Sequence, residues 1–148
     1  MSLVVMGIIV IFHAPFTLAQ MRRRSNNARY TKSRCSKFIT TWILKAGMSF
    51  RDYAAQAWDI PEKYYANRYY LSAHGCGMTG EYPYLYHSGD FPDAGYDGVI
   101  ETGMTICVES YIGEENGSEG VKLEQQLLVT ETGTELLSQF PFEEALME

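Results

Sequence analysis

A chain of 148 residues with 46% hydrophobic and 20% charged residues is long enough for one globular domain with its own core. Its three cysteines, Cys35, Cys76 and Cys107, show no CxxC spacing and are odd in number, which excludes a disulfide framework and implies free thiols in a reducing, cytoplasmic compartment. The net charge of −6 is divided unevenly: residues 1–51 carry nine basic residues and no acidic one, and residues 52–148 carry all eighteen acidic residues with three basic ones. Such a division sets the start of the chain apart, either as a basic arm for an anionic partner or as an artefactual start such as a misjoined gene product. The second reading is taken for residues 1–21, leaving residues 22–148 as the domain.

Residues 3–12 are continuously apolar. Ten residues fall short of the roughly 20 that span a bilayer. Arg22, Arg23 and Arg24 follow the apolar run, whereas a signal peptide places its charge in front. The run predicts a buried strand. A weak reverse-orientation anchor is the alternative, and a membrane partner is not expected. Residues 30–46 predict a helix: Phe38, Ile39, Trp42 and Ile43 recur at helical spacing, with Lys32, Arg34, Lys37 and Lys45 for the wet face and Gly47 after the last turn. The basic residues are thereby placed on a solvated helix face. No aromatic platform alternates with them, so a nucleic-acid partner is excluded.

Ser49 with Asp52 three residues on predicts the N-cap of a second helix running through Trp58 and ending at Pro61. Tyr64 to Ala73 is tyrosine-rich and strand-like, and leads into His74. Residues 82–98, with Pro83, Gly89, Pro92, Gly95 and Gly98, predict a long ordered loop. Met104–Glu109 and Val121–Thr130 predict strands joined by the turn Gly113–Gly120 as an antiparallel pair. Glu135–Gln139 predicts a short helical turn.

Three stretches carry the chemistry: H-G-C-G-M at 74–78, E-T-G-M-T-I-C-V-E-S at 101–110 and G-V-K-L-E-Q at 120–125. Gly75 and Gly77 beside His74 allow close backbone approach. Glu109 and Glu124 each sit in a strand-like apolar run, where a carboxylate is costly unless paired or bound to a metal. Alternation leaves a second reading open, in which Glu124 lies on a solvated face. Mixed imidazole and carboxylate ligation suits Mn, Fe, Co or Zn. Three ligands cannot hold two ions, and no carboxylate exists upstream of Asp52. A shared ion requires the functional atoms to lie within about 8 Å of one another, since ligand bonds run near 2 Å.

Taken as a set, H-G-x-G, E-x-G-M-x-x-x-x-E, G-x-K-x-E-Q and V-T-E-x-G resemble the second half of the pita-bread metallopeptidase family, which includes methionine aminopeptidase, aminopeptidase P, prolidase and creatinase. The resemblance runs over residues 30–142, with Lys45-Ala46-Gly47-Met48 similar to the family's K-P-G-M turn. E-Y-P at 81–83, G-Y-D-G at 95–98, V-E-S-Y-I-G at 108–113 and E-G-V-K-L-E at 119–124 resemble most the branch of dimethylsulfoniopropionate (DMSP) lyases and their relatives.

The resemblance implies an α+β fold, the C-terminal half of a pita-bread domain with a curved antiparallel sheet and helices on one face. It implies His74, Glu109 and Glu124 as three of five ligands to two divalent ions, with Glu109 also as general base and acid. The other two family ligands are aspartates on strands ahead of the 30–46 helix. Residues 1–20 hold no Asp or Glu, and His13 matches no family position. Many family peptidases carry a substrate-binding His where this chain has Glu81, with His87 six residues on as a replacement. The lyases carry a base at the position of Gly80, where Glu81 next door is the substitute. Lys122 stands where many relatives have Arg, keeping the charge without the bidentate fork. The expected function is a metal-dependent hydrolase of the Xaa-Pro peptidase type, acting on a dipeptide or proline peptide as a homodimer and missing two ligands. The alternatives are a DMSP-lyase-like enzyme and an inactive binding domain.

Overall fold

The computed structural model describes the backbone of residues 10–13, and residues 42–78, 80–113, 115–117 and 119–138. Along the chain come strand β1 (Val10–His13), helix α1 (Phe50–Gln56), a 3₁₀ turn at Glu62–Tyr64, strands β2 (Asn67–Arg68), β3 (Leu71–Gly75) and β4 (Tyr84–Tyr86), the one-turn helix α2 (Phe91–Ala94), and strands β5 (Thr105–Gly113), β6 (Glu119–Val129) and β7 (Thr134–Leu136). The strands form one sheet in the order β1-β6-β5-β3-β4, with β2 beside β5 and β7 beside β6. Every described pairing is antiparallel. This is the α+β architecture expected, a curved antiparallel sheet with helix α1 against it.

Strands β5 and β6 are the spine. Their register runs without a break from Thr105↔Leu128 to Gly113↔Gly120. Alternation divides each strand between two faces. Ile106 and Val108 of β5, with Leu123, Leu127 and Val129 of β6, join Phe50, Tyr53 and Ala54 of α1 in one core. Ile112 packs instead with Ile60 and Tyr64. Burying each such large side chain contributes roughly 1.5–3 kcal/mol. The opposite face of the same two strands carries Cys107, Glu109, Lys122 and Glu124, and the site is built there.

Helix α1 starts at the expected cap. Ser49 Oγ accepts the backbone N–H of Asp52 at 3.0 Å and donates its own proton to Asp52 Oδ2 at 2.7 Å. The helix stops at Gln56, with Ala57 already extended, so it ends before Pro61 is reached.

Local pattern and structure part at four places. The predicted 30–46 helix is not helical over its described end, residues 42–46; residues 30–41 lie outside the described residues. Lys45–Met48 forms a turn, with Gly47 at φ +84° and its N–H bonded to the Ile100 carbonyl at 2.8 Å. Ile100 returns its N–H to Met48 at 2.9 Å, and this long-range pairing competes successfully with helix propensity. The strand expected from Tyr64 to Ala73 is broken into the 3₁₀ turn, β2 and β3. The loop expected at 82–98 contains β4, paired to β3 through Ala73↔Leu85 and His74↔Tyr84, and α2, whose Pro92 sits in the first turn where no N–H is needed. The helical turn expected at Glu135–Gln139 gives way to β7, because Leu127↔Leu136 and Val129↔Thr134 extend the sheet. Of the apolar N-terminal run, Val10–His13 pairs with β6 from Val10↔Lys122 to His13↔Glu119.

Candidate metal centre

Register alone brings the chemical groups onto one face. His74 is in register with Cys107, and Glu109 with Glu124. Paired residues of antiparallel strands share a face, and so do residues two apart on one strand. His74, Cys107, Glu109 and Glu124 therefore form a patch across β3, β5 and β6. His74, Glu109 and Glu124 are exposed by only 5%, 7% and 6%, so two carboxylates lie opposite each other out of water. Like charges in that position require a compensating cation.

Lys122 provides one. Its Nζ lies 2.7 Å from Glu109 Oε1 and 3.3 Å from Glu124 Oε2. His74 Nε2 lies 3.1 Å from Glu109 Oε2 and 3.9 Å from Glu124 Oε1. Burial opposes charge on His74, but hydrogen bonds to Glu109 and to the Gly75 carbonyl outweigh it and hold the imidazole pKa above its ordinary value. Burial likewise opposes ionisation of Glu109, and the hydrogen bonds from His74 and Lys122 outweigh it, so this carboxyl sits below the usual range. For Lys122 burial is outweighed by Glu109 and then Glu124, and its pKa is raised.

The donor set fits a divalent ion. His74 Nδ1–H donates to the Gly75 carbonyl at 2.9 Å, which turns Nε2 toward the carboxylates. Metal-bound histidines are held in this way. Ligand bonds of about 2.1 Å at a tetrahedral angle separate ligand atoms by about 3.4 Å, and the 3.1 and 3.9 Å spacings from His74 Nε2 bracket that value. The sulfur of Cys107 belongs to the same cluster: ligand atoms of His74, Cys107 and Glu124 all lie within 4.8 Å of one another. The positions of β1 in register with Lys122 and Gly120 are Val10 and Phe12, residue types without a ligand atom.

Glycine shapes the approach at Gly75, where an added Cβ would lie 1.9 Å from the Tyr82 carbonyl oxygen; at Gly77 it would meet nothing. Gly75 N–H is shared between the carbonyls of Glu81 at 3.0 Å and Pro83 at 2.7 Å, which pins the segment after β3 beside His74. Glu81 is thereby placed at the rim, its Oε2 accepting from Tyr69 Oη at 3.3 Å. The Tyr69 ring stands edge-on to the His74 ring with centroids 6.4 Å apart. Burial first, then the Glu109 and Glu81 charges, push the Tyr69 phenol far up, so it remains a donor.

His87 lies one step away. Its Nε2–H donates to the Tyr69 carbonyl at 2.9 Å, it is 6% exposed, and its Nδ1 has no hydrogen-bond partner among the described residues. Burial depresses its pKa and keeps the ring neutral. Tyr69 and Cys107 had not been singled out for chemistry in the sequence. For Cys107 a signal existed, since it stands two residues before Glu109 on one strand face. Tyr69 gave none beyond membership of a tyrosine-rich run.

The model of metallopeptidase family M24 matches residues 32–131, which include His74, Glu109 and Glu124. The dimethylsulfoniopropionate lyase DddP of Roseobacter denitrificans is 37% identical over 105 residues, 71% of this chain and 24% of the lyase. The DddP lyase of Roseovarius nubinhibens is 35% identical over the same length. Among solved structures, an Xaa-Pro dipeptidase from Bacillus anthracis matches with a TM-score of 0.58 at 26% identity, over 88% of this chain and 33% of that one. An X-Pro aminopeptidase from Thermotoga maritima matches with a TM-score of 0.60 at 18% identity, which shows shared fold, over 80% of this chain and 33% of that one. The chain thus spans about a quarter of the length of the curated relatives it matches. With the family model covering two thirds of its residues, this chain belongs to metallopeptidase family M24, the pita-bread fold family, in the branch that resembles the DMSP lyases.

Proposed function

We propose that this chain carries one half of an M24 metal centre, in which His74, Glu109 and Glu124 hold a divalent ion for hydrolysis of an Xaa-Pro-type amide. The observation behind this reading is the convergence of one imidazole nitrogen and two buried carboxylates within 3.9 Å of His74 Nε2. A bound Mn, Fe, Co or Zn ion supplies Lewis-acid polarisation of the substrate carbonyl and acidifies water. Glu109 accepts a proton and returns it to the leaving amine. Its second oxygen faces Lys122, which holds the carboxyl in its basic form between turnovers. Tyr69 donates at the rim, and His87 fixes the Tyr69 backbone through its carbonyl. Residues 22–148 carry the family's part of the domain, with strand β1 (Val10–His13) added at the edge of its sheet, and the complete site takes a second ion from two aspartates that residues 1–51 do not contain. A homodimer in the cytoplasm belongs to the same proposal.

The identity to the two DddP lyases favours a second reading, elimination of dimethyl sulfide from DMSP. That reaction needs a base for a proton next to a carboxylate. Position 80 is glycine, so Glu81, held by Tyr69, takes the role. The two readings separate in one assay: the purified chain with Mn, Fe, Co or Zn is given a Gly-Pro dipeptide and, separately, DMSP. Dipeptide cleavage lost on Glu109→Gln supports hydrolysis. Dimethyl sulfide release lost on Glu81→Gln replaces it with elimination. Metal binding without either turnover leaves a binding domain and refutes both.

A further inference from the structure

We propose that the tyrosine wall beside the metal centre, with Glu81 at its rim, is a specificity site for an arginine side chain of a peptide substrate. This deepens the hydrolysis reading above, on which it rests. His74 is in register with Tyr84, and Leu85, between Tyr84 and Tyr86, belongs to the α1 core, so both tyrosines extend the face that carries the metal ligands. The Tyr70 and Tyr86 ring centroids lie 6.4 Å apart, and Tyr82 stands perpendicular to Tyr84 at 6.3 Å. Tyr96 lies nearly parallel to Tyr82 at 6.2 Å, and its Oη accepts the Tyr84 N–H at 2.8 Å, which fixes that corner. The rings face outward: Tyr70 is 50% and Tyr82 55% exposed, and Tyr84, Tyr86 and Tyr96 are half-buried. Tyr69 Oη holds the Glu81 carboxylate beside them at 3.3 Å. Burial first, then the Glu81 charge, push the Tyr70 phenol up, so Tyr70 stays neutral.

Ring faces and a carboxylate together select a flat cation. An aromatic face attracts positive charge, and a guanidinium can stack on a ring while its N–H groups reach a carboxylate. The chain uses this combination within its own fold: the Arg68 guanidinium lies 3.6 Å from the Tyr65 ring centroid while its Nε donates to Asp90 at 3.2 Å. Tyr70 and Glu81 present the same two surfaces, and among the described residues no lysine or arginine lies over the wall; Arg51, Lys63 and Arg68 lie over Phe91, Tyr64 and Tyr65. Beyond position 51 the chain has three basic residues against eighteen acidic ones, and all three are engaged: Lys63 over Tyr64, Arg68 with Asp90, and Lys122 with Glu109 and Glu124. The complementary charge is therefore left to the bound peptide, on the face where the metal ligands sit.

The probes are Arg-Pro-Gly and Gly-Pro-Arg, each paired with its citrulline counterpart, which keeps the shape of arginine and lacks its charge. Each is given to the zinc-supplemented full chain; kcat/KM is measured where the peptide is cleaved, and Kd by calorimetry where it is not. An exposed cation–ring contact and a surface ion pair together give about a tenfold preference for arginine in at least one pair. Tyr70→Leu and Glu81→Gln should each cut that preference to about threefold. Equal values for arginine and citrulline, or no peptide bound, overturn the inference. A tenfold preference that survives in the double variant, with wild-type circular dichroism, also overturns it. The hydrolysis reading fails separately. A preference in Kd without cleavage refutes hydrolysis and leaves the arginine site standing, whereas cleavage of both members of each pair at equal kcat/KM leaves hydrolysis standing and removes the site. The wild-type comparison decides even if a variant fails to fold.

Discussion

Lys122 is the group whose removal tests the electrostatics of the centre most directly. Its ammonium lies 2.7 Å from Glu109 and 3.3 Å from Glu124, both more than nine-tenths buried and in register with each other. Lys122→Met keeps the length of the chain and removes the charge. Breaking a buried ion pair by deleting one partner costs about 3–5 kcal/mol. The Lys122 side chain is 33% exposed, and solvent screening places the loss at the lower end, about 3 kcal/mol. With a urea slope of about 2 kcal/mol/M, the unfolding midpoint falls by about 1.5 M in chelator. A divalent ion should close the gap, because it takes over the neutralisation of the two carboxylates and no longer has an ammonium to displace. At 100 times its Kd the ion contributes about 2.7 kcal/mol. The pH dependence changes sign as well. In wild type the lowered Glu109 pKa contributes stability that is present above about pH 4.5 and is lost as pH falls through the folded value. In Lys122→Met, protonating one carboxyl relieves the repulsion, so stability rises on acidification. Urea melts at several pH values, with chelator and with cobalt, measure all of this. An unchanged midpoint, or a loss of the same size with and without ion, refutes the reasoning.

Four further outcomes are expected. Glu109→Gln removes the proton carrier and should abolish turnover of whichever substrate the wild-type chain accepts, as read by product release under saturating metal. Gly75→Ala puts a Cβ 1.9 Å from the Tyr82 carbonyl and should destabilise by about 3 kcal/mol in a thermal or urea melt, with Gly77→Ala as the tolerant control. His87 is held neutral, so the stability it permits is full above the unfolded pKa of about 6.5 and falls as pH drops below it toward the lowered folded value; His87→Gln should flatten that acid-side loss in melts from pH 7 to pH 5. Tyr53→Phe removes the buried hydrogen bond to Ser72 Oγ at 3.1 Å and should cost about 1–2 kcal/mol with no change in metal uptake.

Much of the site could be read along the chain because it is made of strands. A period of two tells which residues share a face, and glutamates inside apolar runs mark the positions where a cost must be met. The motif set around His74, Glu109 and Glu124 named the family from the same residues. Local pattern failed where long-range pairing prevailed. The Lys45–Met48 turn answers to Ile100, β4 and β7 exist because β3 and β6 offer them open edges, and no local signal announces either partner.

By itself, then, the amino-acid sequence determined the antiparallel β5–β6 pair, the Ser49 cap and the family, and singled out His74, Glu109 and Glu124 as candidates, because periodicity, capping and motif spacing act over a few residues. Only the tertiary structure decided what those groups meet. The register that sets His74 against Cys107 and Glu109 against Glu124, the reach of Lys122 across both carboxylates, and the shared Gly75 N–H that brings Glu81 to Tyr69 are contacts between strands, and strand register is settled by the packing of the face turned toward α1.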